Sequence, residues 1–117
     1  MRVAVIGSRN SRGLTVEDII QKIPKNCTEL VSGGAIGVDR LARQAAKRLD
    51  LPLIEYRPDY ARYGRKAPLY RNAQIVCGAD LVLAFWDMDS RGTAHTFVEC
   101  IRGRIPVKVI NLKELGH

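Results

Sequence analysis

Four short stretches of this chain carry residue types that together suit an anion. Ser32-Gly33-Gly34-Ala35-Ile36-Gly37-Val38-Asp39 sets three glycines ahead of an apolar stripe at helical spacing, Val38, Leu41, Ala42, Ala45 and Leu49. Glycines let backbone approach a ligand closely, and the helix start behind them presents unpaired N–H groups and partial positive charge. That combination suits a phosphate. Gly7-Ser8-Arg9 adds a glycine, a hydroxyl and the planar fork of a guanidinium. Asp89-Ser90-Arg91-Gly92-Thr93 repeats the cradle before another helix, with Ser90 and Thr93 as hydroxyls around Gly92. Tyr70-Arg71-Asn72 offers a cation for phosphate and an amide for a base edge or hydroxyl.

Each stretch also has a plainer use. The glycines suit tight packing, Asp39 complements a helix dipole, Ser90 or Thr93 serves as an N-cap, and Arg71-Asn72 forms an exposed first turn. Asp39 and Glu99 are the weak candidates for catalytic carboxylates. Asp39 can otherwise accept from a ribose hydroxyl, and Glu99 can otherwise be a solvated helix residue. His95 reads as a surface or capping residue, and Trp86 as a pocket wall or stacking ring. No Walker lysine follows the glycines, and GxGxxG spacing is missing. No Ser–His–Asp arrangement or metal-ligand spacing is legible, so neither metal nor cofactor is expected. Cys27, Cys77 and Cys100 lack CxxC spacing, fit a reducing cytoplasm, and read as buried small hydrophobes.

The elements that must position these stretches alternate. Strands are expected at Arg2–Ile6, Thr28–Val31, Pro52–Tyr56, Asp80–Trp86 and Pro106–Asn111. The first helix starts at the N-cap Thr15, carries Val16, Ile19, Ile20 and Ile23, and ends at Pro24. The second follows the glycine turn. The third opens at Pro68 with the stripe Leu69, Ala73, Val76 and Cys77, and stops at Gly78. The fourth starts at Thr93, with Ala94, Phe97, Val98 and Ile101 on one face, and closes at Gly103. Residues Arg57 to Lys66 read as an Arg- and Tyr-rich loop, and Leu112 to His117 as a last turn or a frayed tail. This pattern predicts an α/β fold, a Rossmann-like three-layer sandwich. Its five-stranded parallel sheet has order 3-2-1-4-5 with helices on both faces. The loops after strands one, two and four then meet at the carboxyl edge, near the switch point.

At 117 residues, 46% of them hydrophobic, the sequence reads as a single globular domain over 1–117. The opening apolar run is too short for a signal peptide, and no run suits a membrane span. A cytoplasmic location is expected. Net charge is +7, from 19 Lys and Arg against 12 Asp and Glu, which favours polyanionic partners.

With Asp80 to Trp86 between them, these motifs occur in the same order in the SLOG superfamily. The chain resembles that Rossmann-like group, which joins the DprA/SMF proteins to the LOG proteins, and within it the single-domain YspA-type branch. The resemblance covers nearly the whole chain and implies a pocket for a nucleotide or a nucleotide-derived ligand. It places Gly7, Ser8, Arg9, Ser32, Gly33, Gly34, Gly37, Asp39, Arg71, Asn72, Ser90, Gly92 and Thr93 at that pocket. LOG relatives hydrolyse the N-glycosidic bond of nucleoside monophosphates and are often dimers; DprA relatives bind single-stranded DNA. The reading is therefore binding, by sensing or processing, of a nucleotide-derived phosphate ligand. The alternatives are a phosphoribohydrolase and a single-strand binding module, and self-association is a further expectation. One departure concerns hydrolysis. LOG enzymes carry a glutamate three residues after the threonine, where this chain has Thr96.

Overall fold

The run Val3-Ala4-Val5-Ile6 lies at the centre of the molecule, each residue 5% exposed or less. In the computed structural model, which describes residues 1–115, it forms most of β1 (Arg2–Gly7). Then come α1 (Val16–Lys22), β2 (Glu29–Ser32), α2 (Val38–Arg48) and β3 (Leu53–Glu55). After these come α3 (Tyr60–Tyr63), α4 (Ala67–Val76), β4 (Leu81–Trp86), α5 (Arg91–Gly103) and β5 (Val107–Asn111). The five strands form one parallel sheet in the order β3-β2-β1-β4-β5, as the alternation predicts. Val3 faces Leu30 on one side, and Val5 faces Leu83 on the other.

Alternate residues of β1 feed two cores. Val3 and Val5 pack with Ile19 of α1, Val38, Ala42 and Ala45 of α2, and Phe85. Ala4 and Ile6 pack on the other face with Val82, Ala84, Ile75 and Val76 of α4, and Cys100 of α5. Helices thus cover both faces, which a parallel sheet requires. Because every strand runs the same way, the loops after β1, β2 and β4 share one edge. No helix among the described residues is long and apolar enough to cross a membrane.

Thr15 caps α1 as expected, and Asp18 completes a capping box: the Asp18 N–H donates to Thr15 Oγ1 at 3.2 Å, and the Thr15 N–H to Asp18 Oδ2 at 2.9 Å. Two helices are rotated from their expected faces. In α4 the buried residues are Ala67, Asn72, Ile75 and Val76, while Leu69 and Cys77 are exposed. In α5 they are Thr93, Thr96 and Cys100, leaving Val98 and Ile101 exposed. Small and polar side chains displaced larger apolar ones because each polar atom has an internal partner. Thr96 Oγ1 donates to the Gly92 carbonyl at 3.0 Å, so the residue enters the core without an unmet hydroxyl. Asn72 is held by hydrogen bonds on both sides, described below.

The stretch read as a loop from Arg57 to Lys66 contains α3 and a 3₁₀ turn, Gly64–Lys66. Asp59 nucleates α3, accepting from the Arg62 N–H at 3.1 Å, a cap signal masked by the neighbouring Pro and Gly. Helix α4 begins one residue before Pro68, and α5 begins at Arg91, capped by Ser90. Leu112–Glu114 forms a last 3₁₀ turn; the rest of the expected tail, residues 116 and 117, lies outside the described residues.

Candidate functional site

A cleft of about 580 Å3 opens at the strand carboxyl edge, where the chain leaves β1 and β4 in opposite directions. Gly7 and Arg9 line it from the β1 end, Asp39 from α2, and Arg71 and Asn72 from α4. Ser90, Gly92 and Thr93 line it from the start of α5. Ser8, Ser32, Gly33, Gly34, Gly37 and Glu99 do not. Asn10, Asp87, Arg91, His95 and Thr96 complete the polar lining. Arg91 sits between two recognised cradle residues and so was signalled by position. Asp87 follows β4 directly and carries no motif of its own in the sequence.

Two of the candidates outside the cleft, Ser8 and Gly37, hold its loops together. Ser8 is 1% exposed, and its Oγ accepts from the Asp87 N–H at 3.0 Å, joining the β1 and β4 loops. Gly37 has φ +73°, and an added Cβ would lie 2.1 Å from the Arg9 carbonyl oxygen. The first amide of α2, Val38 N–H, donates to the Ser8 carbonyl at 3.1 Å. Asp39 then places its own carboxylate in the turn, Oδ2 accepting from the Ala35 N–H at 3.1 Å. Two amides of the glycine turn, Ala35 and Val38, are thus met by the protein's own acceptors. Ser32 Oγ is buried without a hydrogen-bond partner, yet near enough to Asp39 to favour its ionised form.

The start of α5 is different. Ser90 Oγ accepts from the Thr93 N–H at 3.4 Å and the Thr93 hydroxyl at 3.2 Å. The preceding amides, of Arg91 and Gly92, have no intrahelical acceptor, and a Cβ on Gly92 would meet nothing within 4 Å. This helix end is therefore open to an anion. Asp87 braces the turn from outside, Oδ1 accepting from the N–H groups of Asp89 at 2.9 Å and Ser90 at 2.8 Å. Desolvation raises its carboxyl, but those bonds, with Ser8 and Lys113, prevail and hold it below the ordinary value.

Arg71 and Asp39 flank Gly33, whose missing Cβ would lie 2.7 Å from Arg71 Nη1 and 3.0 Å from Asp39 Oδ2. Arg71 Nη1 donates to the Gly33 carbonyl at 3.0 Å, and Nε to Asn72 Oδ1 at 2.9 Å. Burial pushes the Asp39 carboxyl up, against the Ala35 N–H and the Arg71 charge. Burial likewise pushes the Arg71 guanidinium down, against Asp39. With its oxygen bound to Arg71, the Asn72 amide presents Nδ2 to His95 Nδ1 at 3.2 Å. Nδ1 is the acceptor in that bond, and Nε2 lies 3.6 Å from Glu99 Oε1. Glu99 also faces Arg102 at 3.6 Å. Asn72 and His95 thus brace α4 against α5.

Trp86 is no wall of this cleft: its Nε1 donates to the Ser90 carbonyl at 3.0 Å, and its ring packs on Phe97. Of the three cysteines only Cys100 is buried, its thiol pushed up to about 11 by desolvation; Cys77 is exposed and Cys27 partly buried. Among the described residues no group of three or more His, Cys, Asp or Glu is placed to hold a metal. Ser8→Ala tests the bracing role directly. It removes the acceptor of the partly buried Asp87 N–H and should lower unfolding free energy by about 1 kcal/mol in urea denaturation.

A five-stranded parallel sheet with a polar cleft at its switch point defines a Rossmann-like α/β domain. The chain is 34% identical to Gene 61 protein of Mycobacterium phage D29, over 91% of this chain and 93% of that protein. It belongs to the same family as that phage protein. No family model matches it. Among solved structures, DNA processing protein A from Helicobacter pylori, studied for its unique single-stranded DNA binding mode, shares the fold with a TM-score of 0.71 at 22% identity. The match covers 93% of this chain and 64% of the Helicobacter chain, so this chain spans just under two thirds of that protein.

Proposed function

We propose that the protein binds single-stranded DNA, with a backbone phosphate in the cleft at the start of α5. The observation that carries this reading is that Arg9, Arg71 and Arg91 line one cleft together with Gly92 and Thr93 at the start of α5. None of the three arginines has an ion-pair partner within 4 Å among the described residues. Asp39 and Asp87 are the opposing carboxylates in the lining, and both are occupied by backbone N–H groups. A net charge of +7 favours a polyanion, and the Helicobacter protein of the same fold binds single strands. We place the chain in the single-domain YspA-type branch of this group.

A free nucleotide is the second reading, supported by a cleft volume in the range of small-ligand sites. Hydrolysis has less support. Thr96 bonds the Gly92 carbonyl where LOG enzymes carry glutamate, Asp39 is engaged in its own turn, and Glu99 stands outside the cleft.

The test is affinity for labelled oligo-dT by fluorescence anisotropy across a salt series. The slope of log K against log salt should be negative, by about 0.7 for each phosphate neutralised. Arg9→Ala and Arg91→Ala should each weaken binding and flatten the slope by roughly that amount. Absence of oligo-dT binding at low salt, with tight binding of a mononucleotide, would establish the second reading instead.

A further inference from the structure

All four tyrosines of the chain lie between positions 56 and 70, interleaved with Arg57, Arg62, Arg65 and Lys66. The fold gathers this stretch on α3, the following turn and the first turns of α4, beside the cleft. The Tyr63 and Tyr70 rings stack with centroids 4.1 Å apart at 21°, and the Arg62 guanidinium lies 5.3 Å from the Tyr63 centroid. Tyr60 is 60% exposed, and Tyr70, stacked on Tyr63 through one face, is 49% exposed. A hollow of about 260 Å3 lies among Arg57, Arg62, Tyr63, Tyr70 and Arg71. Arg71 lines both this hollow and the phosphate cleft.

The charge of this surface is positive and largely unopposed. Glu55 faces Arg43 at 2.9 Å and Arg57 at 3.9 Å, and Asp59 is engaged as the α3 cap. Arg62, Arg65 and Lys66 have no ion-pair partner among the described residues. Exposed aromatic faces among free cations suit one polymer above others. A single strand stacks its bases on the rings while its phosphates meet the cations. An acidic peptide would use the cations and leave the rings idle.

We infer that the α3–α4 surface is a base-stacking platform, with Tyr60 and Tyr70 holding nucleotides next to the one whose phosphate enters the cleft. Arg71 marks the passage from one to the other. The inference rests on the cleft reading of the preceding subsection.

The experiment compares a labelled dT 12-mer with an abasic 12-mer on the same full chain, using wild type, Tyr60→Ala and Tyr70→Leu. Wild type should bind dT at least ten-fold more tightly than the abasic strand. Each variant should lose roughly ten-fold on dT and little on the abasic strand, since stacking acts only through bases. Tyr60 makes no ring contact, so its variant keeps the test valid if Tyr70→Leu loosens α3. Equal wild-type affinity for both strands, or variants that bind dT like wild type, would overturn the platform and leave the cleft reading intact. Wild type that binds neither strand overturns both, and preference for a poly-glutamate peptide over dT makes this surface a peptide dock instead.

Discussion

Gly37→Ala is expected to cost about 3 kcal/mol or more, a large fraction of the total stability of an ordinary domain. Gly37 has φ +73°, a conformation that costs an alanine about 1–2 kcal/mol by itself. The larger contribution is contact. The added Cβ would lie 2.1 Å from the Arg9 oxygen, 2.5 Å from the Arg9 carbonyl carbon and 2.6 Å from the Ser8 oxygen. All three are backbone atoms and cannot rotate aside. The β1 loop would have to withdraw, breaking the Val38 N–H bond to Ser8 and pulling Ser8 from the Asp87 N–H. One methyl group thus reaches three of the loops that meet at the site edge. Gly34→Ala is the control, because its φ of +70° is similar but its neighbours are the side-chain ends of Glu55 and Arg57 at 3.3–3.4 Å. It should cost only the backbone strain of about 1–2 kcal/mol. Urea midpoints for the two variants check the difference, and equal midpoints would mean the loops can part without loss.

That contrast shows why the site was only partly legible in the sequence. The alternation of apolar runs and helical stripes determined sheet order because a parallel sheet needs covered strands and few layouts satisfy the connections. Periodicity could not say which face of α4 and α5 turns inward. Asn72 and Thr96 look like surface residues until their partners, Arg71, His95 and the Gly92 carbonyl, are known. Those partners lie within four positions or across a helix interface, and only the latter is invisible to a local pattern. The glycine turn was the strongest signal for a ligand, yet its positive helix end holds Asp39 and its first amide holds Ser8. A glycine cluster records close approach of backbone, and here what approaches is another loop. Arg9, Arg71, Asn72, Ser90, Gly92 and Thr93 do converge, because their loops and helix starts share the carboxyl edge of one sheet.

Arg71→Ala should weaken oligo-dT binding by ten-fold or more, and its effect on stability should depend on pH in a direction fixed by Asp39. Arg71 is the cation common to the cleft and the tyrosine hollow, so its loss removes a phosphate contact from the proposed path of the strand. It also removes the nearby positive charge from Asp39, which is 7% exposed. In the wild type, burial already raises the folded-state carboxyl above its unfolded value. A group raised in this way favours folding fully below the unfolded carboxylate value, near 4, and that contribution is lost as pH rises through the folded value. Without Arg71 the folded value climbs further, so the window of loss extends upward. At pH 7 the variant should be destabilised by about 3 kcal/mol, the lower end of the range for stranding a buried charge. Toward pH 4, as Asp39 takes up a proton, the penalty should shrink toward that of the lost bonds to the Gly33 carbonyl and Asn72 Oδ1, about 1 kcal/mol each. Adding Asp39→Asn to Arg71→Ala should therefore flatten the difference between the two pH values while leaving oligo-dT binding weak. Urea titrations of the single and double variants at both pH values make the comparison. An Arg71→Ala penalty that is the same at pH 4 and pH 7 would show that Asp39 does not sense the guanidinium across Gly33.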